Sequence, residues 1–149
     1  MEITQATHDD IPQLCELLNL LFSQEAEFQP DGKLQAAGLR QIIEFPERGQ
    51  ILVIRDGASI IGMVNLLFTQ STALGGRVAI LEDMVVRPQY RGSGAGHMLL
   101  EVAIGLVKSS GCRRITLLTD STNEAAQRFY RKHGFNISEM VAMRLILYP

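Results

Sequence analysis

Apolar residues set the rhythm of this chain, and the period changes several times along it. "MEITQA" alternates weakly and predicts a short strand. "DDIPQLCELLNLLF" changes to helical spacing, with Ile11, Leu14, Cys15, Leu18, Leu21 and Phe22 on one face. Asp9 or Asp10 can cap that helix, and Pro12 suits its first turn. "SQEAEFQP" reads as a loop, and "DGKLQAAGLRQIIEF" as a second, weaker helix stopped at Pro46. Strand patterns follow: "QILVI" and "SIIGMVNLLF" flank Asp56-Gly57, a hairpin signal, and Gly75-Gly76 marks a further reversal. "RVAILEDMVV" is apolar on both faces except at Glu82 and Asp83, so it requires cover on both sides. A helix over about 94–109 places Leu99, Val102, Ala103 and Leu106 on one face, with His97, Glu101 and Lys108 off it and Gly111 at its end. "RRITLLT" predicts a strand and "STNEAAQRFYRKHG" a short helix. That helix has capping-box spacing at Ser121 and Glu124 and a stop at Gly134. "MVAMRLIL" predicts a closing strand. The order β-α-α-β-β-β-α-β-α-β-β is that of a mixed α/β domain.

Composition narrows the class. The 149 residues suit one domain spanning 1–149, and 46% of them are apolar, enough for a sizeable core. A net charge of −2 argues against a nucleic-acid binder driven by bulk charge, although Arg87 and Arg91 form a small local basic patch. Cys15 and Cys112 stand apart from each other and from any histidine cluster, so they read as reduced core residues of a cytoplasmic protein with no metal site. No run reaches the ~18 apolar residues of a membrane span, and the N-terminus lacks a signal-peptide pattern.

The most informative stretch is "VVRPQYRGSGAG", where Gly92, Gly94 and Gly96 alternate between a strand and a helix. A glycine-rich turn entering a helix leaves N–H groups aimed outward at the positive end of the helix dipole. Without Cβ atoms in the way, phosphate oxygens can approach those groups, and Arg91 adds a charge. The spacing is neither a Walker loop nor a Rossmann fingerprint, since the glycines run G-x-G-x-G and no lysine follows. The missing lysine also weighs against a nucleotide-binding signalling module.

Read as R-x-x-G-x-G, Arg91-Gly92-Ser93-Gly94-Ala95-Gly96 resembles the pyrophosphate-binding signature of the GNAT superfamily of acyl-CoA N-acyltransferases. "MVVRPQYRGSGAG" matches the family's strand, proline and glycine turn. "TNEAAQRFYRKHGF" looks like its second motif, an Asn before a short helix with Phe-Tyr and then Gly-Phe. The likeness covers essentially the whole chain and is strongest over 78–135. It implies a mixed, mostly antiparallel sheet of six or seven strands with about four helices. It implies acetyl-CoA as acyl donor, with no metal. Met84, Val85 and Val86 would then offer backbone groups to the pantetheine arm. Gly92, Ser93, Gly94, Ala95, Gly96 and His97 would hold the pyrophosphate through N–H groups, with Arg91 beside them. Asn123 would reach the pantetheine end, and Tyr130 would lie near the thioester sulfur. The resemblance also implies that the strand of residues 78–86 splays from the next one and admits the pantetheine arm as an extra strand.

Acyl transfer to an amine sets its own demands. A free alkylamine has a pKa of ~10 and must lose a proton before it attacks. A donor must steady the carbonyl oxygen, for which a backbone N–H near Val85 is the candidate. The leaving thiolate needs a proton, which Tyr130 can give. Glu82 and Asp83 are the candidate bases, because burial there is costly unless they are paired or working. Glu82 is favoured as base and Asp83 as amine-binding or structural partner. Both face one site only if a bulge breaks the strand's alternation; the alternative is pairing with Arg77, Arg87 or Arg144. Asn123 as a plain helix cap and Tyr130 as a packed helix residue are the corresponding structural alternatives. His8, His97 and His133 read as surface, cap or end residues, and Cys112 as no nucleophile, since the family transfers directly from cofactor to acceptor.

The acceptor is the least legible part. "ILEDMVV" with "FYRKHGF" is similar to the glucosamine-6-phosphate N-acetyltransferases of the superfamily, but the basic residues of a sugar-phosphate site are not identifiable. Residues 22–33 and the loop near 70–76 are the expected acceptor-binding segments, and the acidic "SQEAEF" favours a cationic amine on a small molecule or protein. The competing class is a catalytically idle acyl-CoA-binding sensor. The apolar "MVAMRLILYP" end offers either a homodimer contact or an internally covered strand.

Overall fold

The computed structural model describes residues 1–25 and 29–148. Ala26, Glu27 and Phe28, in the middle of the expected acceptor loop, lie outside them. Contacts within the chain group it into two units, Met1–Leu118 and Thr119–Pro149.

The first unit follows the predicted order: β1 (Glu2–Gln5), α1 (Ile11–Phe22), α2 (Gly32–Glu44), β2 (Gly49–Asp56), β3 (Ser59–Ser71), β4 (Gly76–Val86), α3 (Ala95–Ser109) and β5 (Ile115–Leu117). The five strands form one sheet in the order β1-β2-β3-β4-β5, with β4 and β5 parallel and the other neighbours antiparallel. Asp56-Gly57 and Gly75-Gly76 turn the chain where their residue types predict. Leu14, Leu17 and Leu18 of α1 and Leu39 of α2 pack with Ile51, Val53 and Met63 on one sheet face. The alternate residues Leu52, Ile54, Val64 and Leu66 are buried as well, and α3 packs on β2, β3 and β4 through Leu99, Leu100, Ala103 and Val107. Helices therefore cover both faces, as strands apolar on both faces require.

Caps are where the sequence reading needs correction. Asp10 precedes α1 but makes no side-chain cap to it. Its carboxylate instead accepts the Thr7 N–H at 2.8 Å and closes the short 3-10 turn His8–Asp10. Asp31 caps α2, accepting from the amides of Lys33 and Leu34. The buried Gln35 then ties α2 to α1 through Asn19, at 3.0 Å.

In the second unit α4 spans Glu124–Arg131. Its cap is Asn123, whose Oδ1 accepts the Ala126 N–H at 3.0 Å, so the Ser121–Glu124 capping box does not form. Gly134 ends the helix as expected: its N–H donates to the Arg131 carbonyl, and the Phe135 N–H to that of Tyr130. The expected closing strand is absent among the described residues. Residues 140–148 carry neither helix nor strand, and Met140, Val141, Met143, Leu145, Ile146 and Leu147 are exposed. A strand exists only as one side of a ladder, and no ladder is recorded for this segment. The sheet of the first unit accordingly counts five strands where the family resemblance implies six or seven.

Candidate active site

β4 is the axis of the site. β3 flanks it along its length, from Ser71 opposite Gly76 to Gly62 opposite Val86. On its other edge β5 pairs only Ala79, Ile80 and Leu81. From Glu82 to Val86 that edge has no strand beside it among the described residues.

A bulge sits within this open stretch. Asn65 pairs Glu82 and Met63 pairs Val85, so Val64 alone stands opposite the two residues Asp83 and Met84. Asp83 takes φ 55°, the one positive φ at a non-glycine among the described residues. Asp tolerates this region better than most residues, because its short polar side chain bonds locally. The bulge is the device on which the sequence reading depended for redirecting a carboxylate.

The two carboxylates differ in surroundings. Glu82 is exposed and Asp83 is half-buried. Burial pushes the Asp83 carboxyl above its ordinary value, and a hydrogen bond from Asn65 Nδ2 at 3.1 Å opposes that rise. Sequence reasoning favours Glu82 as the base; of the two, Asp83 is the one whose carboxyl burial raises. Two of the three arginines suggested as their partners have other contacts: Arg87 bonds Glu16 at 2.7 Å and the Ile60 carbonyl at 2.8 Å, and the Arg77 guanidinium lies 4.2 Å over the Phe68 ring. Arg87 also lines a shallow cleft of ≈370 Å³ with Gln13, Glu16, Ser59 and Tyr90, which includes none of residues 82–86.

Beyond β4, a 3-10 turn at Pro88–Tyr90 leads to the glycine turn. Gly92 has φ 80° and Gly94 φ 87°, conformations that side chains disfavour. Nothing lies within 4 Å of a Cβ built at either position, so the space over the turn is open. Gly94 is the N-cap of α3 and lends no side chain to it. The Met98 N–H bonds the Gly94 carbonyl at 3.0 Å, and the helix's earlier amides have no intrahelical carbonyl to reach. The Ser93 hydroxyl donates to the Tyr90 carbonyl, and Arg91 Nε donates to the Val86 carbonyl at 3.4 Å, which ties the turn to the end of β4.

In the second unit, Tyr130 meets Phe129 edge-on at 5.2 Å and Phe135 at 5.7 Å. Asn123 has its Oδ1 committed to the α4 cap. His133 lies 5.5 Å from Phe129, and His8 faces Glu44 at 3.9 Å on the surface. Cys15 and Cys112 are free thiols, each pushed up by burial. Among the described residues no His, Cys, Asp and Glu group is arranged to hold a metal, and no helix is long and apolar enough to cross a membrane.

Asn65 is the residue that sequence reasoning missed. Its signal is legible in retrospect: one amide inside "GMVNLLF", an otherwise apolar strand, poses the same question as two carboxylates inside "ILEDMVV".

A mixed sheet with helices on both faces, an open β4 edge and a glycine turn at a helix N-terminus define an acyltransferase architecture. The model of the acetyltransferase (GNAT) family matches residues 11–135, and the chain belongs to that family. The activity of this class is N-acetyl transfer. The chain is 32% identical over 138 residues to the uncharacterized N-acetyltransferase YhfO of Bacillus subtilis, covering 91% of this chain and 89% of that one. It is 37% identical over 89 residues to a glucosamine 6-phosphate N-acetyltransferase of Trypanosoma brucei brucei, covering 59% and 58% of the two chains. Among solved structures, an integron cassette protein from the mobile metagenome of Cole Harbour Salt Marsh matches with a TM-score of 0.85 and 25% identity, over 99% of this chain and 91% of that one.

Proposed function

We propose that this chain moves an acetyl group from acetyl-CoA directly to a primary amine of a small molecule or protein, with both substrates bound together. The observation that carries this reading is the edge of β4 beyond Leu81: among the described residues no strand pairs with residues 83–86 on the β5 side, the stretch holds a half-buried carboxyl, and it runs into the glycine turn at α3.

The groups on the chain suit such a donor. The backbone of Met84 and Val86 faces the open edge and suits the pantetheine amides, as a sheet edge accepts an added strand, while Val85 between them bonds Met63 on β3. Arg91 and the amides of the turn from Gly92 to His97 suit the diphosphate, although the Ser93 N–H also reaches the Tyr90 carbonyl and the Ala95 N–H the Ser93 hydroxyl. Asn123 is the family-motif candidate for the pantetheine end. Acetyl-CoA supplies the activated thioester carbonyl; the remaining work falls to the protein. Asp83 takes a proton from the amine, so that an N–H bond breaks and a carboxyl O–H forms. A backbone amide near Val85 takes the role of donor to the carbonyl oxygen, the Val85 N–H itself being turned toward Met63 on β3. As the new N–C bond forms and the C–S bond breaks, Tyr130 gives its phenol proton to the sulfur, a role that rests on the family motif. The proton still carried by the newly bonded nitrogen passes to solvent, which also reprotonates Tyr130 and deprotonates Asp83, leaving an amide and a free thiol.

Exposed Glu82 beside Asp83 favours a cationic acceptor. The Trypanosoma match is too partial to carry a sugar-phosphate acceptor to this chain. Self-association through the apolar C-terminal residues belongs to the same reading, and sedimentation showing only monomer at micromolar concentration would remove it.

The test is thiol release from acetyl-CoA across a panel of polyamines, aminoglycosides, amino acids, peptides and glucosamine 6-phosphate. The expected result is amine-dependent release, with Asp83→Asn lowering kcat by about 100-fold and Glu82→Gln by less than about 10-fold. Binding of CoA with no amine-dependent release would make the protein an acyl-CoA sensor instead.

A further inference from the structure

Asn65 sits inside β3 with 3% of its surface exposed. Its Nδ2–H donates to Asp83 Oδ2 across 3.1 Å. Its Oδ1 is buried and has no hydrogen-bond partner among the described residues. A buried acceptor left unpaired is costly, and folded chains keep few of them. Leucine or valine at this position would fill an apolar strand without that cost. The register partner of Asn65 is Glu82, yet the bulge and the positive φ of Asp83 bring the next carboxyl to the amide.

An amide side chain has two ends of similar shape and opposite hydrogen-bonding character. The donor end suits a carboxylate and the acceptor end suits a carboxylic acid. We propose that Asn65 is the positioning residue of Asp83 and serves both states of its carboxyl: Nδ2–H holds the carboxylate before proton transfer, and after a half-turn of the amide Oδ1 accepts the Asp83 O–H that transfer creates. The unpartnered oxygen is the second half of a two-state contact. The inference rests on Asp83 being the proton acceptor. The only atom transferred is the proton, from the amine nitrogen to an Asp83 oxygen, and Asn65 neither gains nor loses one.

Burial is the largest influence on the Asp83 carboxyl, and the Asn65 contact is the side-chain hydrogen bond that opposes it. β3 carries no ionisable side chain, and neither does β5. On β4 the ionisable neighbours are Glu82 and the distant Arg77. α1 contributes Cys15 and Glu16, the latter held by Arg87, and α3 contributes His97, Glu101 and Lys108. Of all these, Asn65 alone supplies a side-chain interaction that shifts the Asp83 carboxyl.

The experiment follows the Asp83 carboxyl by carbon-13 NMR and, separately, the pH profile of kcat/KM, in the full chain and in Asn65→Leu, Asn65→Asp and Asp83→Asn. In Asn65→Leu both contacts are lost, and the charge-assisted bond to the carboxylate is the stronger of the two, so the carboxyl midpoint and the acid limb of the profile should each rise by about one pH unit, with KM for acetyl-CoA unchanged. Asn65→Asp has nearly the same shape and guards against misfolding of the leucine variant; its like charge should drive the midpoint higher still. A folded Asn65→Leu or Asn65→Asp with an unmoved midpoint and acid limb, while Asp83→Asn abolishes turnover, overturns the inference and leaves the base assignment standing. Full turnover in Asp83→Asn overturns the base assignment, and a midpoint that moves without the acid limb points the same way.

Discussion

Arg55 on β2 closes on Asp10, at the head of α1, with hydrogen bonds of 3.0 and 2.6 Å. The same guanidinium donates to Thr4 Oγ1 at 3.0 Å, and the same carboxylate accepts the Thr7 N–H. One pair therefore pins β1, the entry to α1 and β2 together. Asp10 is 6% exposed, so removing its partner strands a charge that water barely reaches. Arg55→Met should cost about 2–3 kcal/mol, because a broken, largely buried pair loses more than its bond. For a chain of this size that lowers Tm by roughly 4–10 °C. The pH dependence follows from the direction of the shift: hydrogen bonds from Arg55 hold the Asp10 carboxyl below its ordinary value when folded. The contribution is therefore complete above the unfolded pKa, about 4, and fades as pH falls through the lower folded value. Thermal melts should show a constant gap between wild type and variant at neutral pH that narrows below about pH 4. A gap still constant at about pH 3 would contradict this account.

Two glycines of one helix should respond in opposite ways. At Gly94 φ is +87°, so Gly94→Val strains the turn by about 1–2 kcal/mol although no atom blocks its Cβ. The fold should survive, and CoA binding measured by calorimetry should weaken at least about 10-fold, because the side chain enters the space proposed for the diphosphate. Gly105 lies exposed within α3, and nothing stands within 4 Å of its Cβ. Gly105→Ala should stabilise by about 0.5–1 kcal/mol and leave CoA binding unchanged. Equal binding in both variants would remove the cradle.

These contrasts show what a linear reading captures. Periodicity located α1, α2, β2, β3, β4 and α3 because each buries a face against the sheet, and burial leaves a pattern in residue type. Asp56-Gly57 and Gly92–Gly96 were legible because their backbone geometry selects residue type directly. Asp10 was misread because capping depends on which donor lies nearest, and Arg55 is 45 residues away in the chain. The surroundings of Glu82 and Asp83 turned on a bulge, a register event between two strands that neither strand announces alone. Asn65 became meaningful only once that bulge set Asp83 beside it. The apolar 140–147 segment has a strand's composition, but pairing is a tertiary fact that composition does not contain.

Asn123 carries two proposed duties that substitutions can separate. Its Oδ1 caps α4 at Ala126 N–H, and its Nδ2 is the group available for the cofactor role. Asn123→Asp keeps a capping oxygen and removes the amide donor, whereas Asn123→Ala removes both. The alanine variant should lose about 1 kcal/mol of stability and the aspartate variant almost none. If the amide serves the pantetheine end, both variants should raise KM for acetyl-CoA, by about 10-fold or more for aspartate, whose charge adds repulsion near a polyanionic donor. An aspartate variant with unchanged KM would reduce Asn123 to a cap.

Tyr130 permits the sharpest separation of packing from chemistry. Its ring is held edge-on by Phe129 and Phe135, and Tyr130→Phe preserves both contacts while deleting one hydroxyl. Melting stability should fall by no more than about the 1 kcal/mol that a single hydroxyl hydrogen bond contributes, since aromatic packing supplies most of what the ring contributes. If the phenol protonates the departing thiolate, kcat should fall by about 100-fold while KM for acetyl-CoA stays within about twofold. The deficit should also shrink with a thioester whose thiol has a lower pKa, because a better leaving group needs less help from an acid. A uniform loss across leaving groups would assign Tyr130 to positioning, and unchanged kcat would hand the protonation to water.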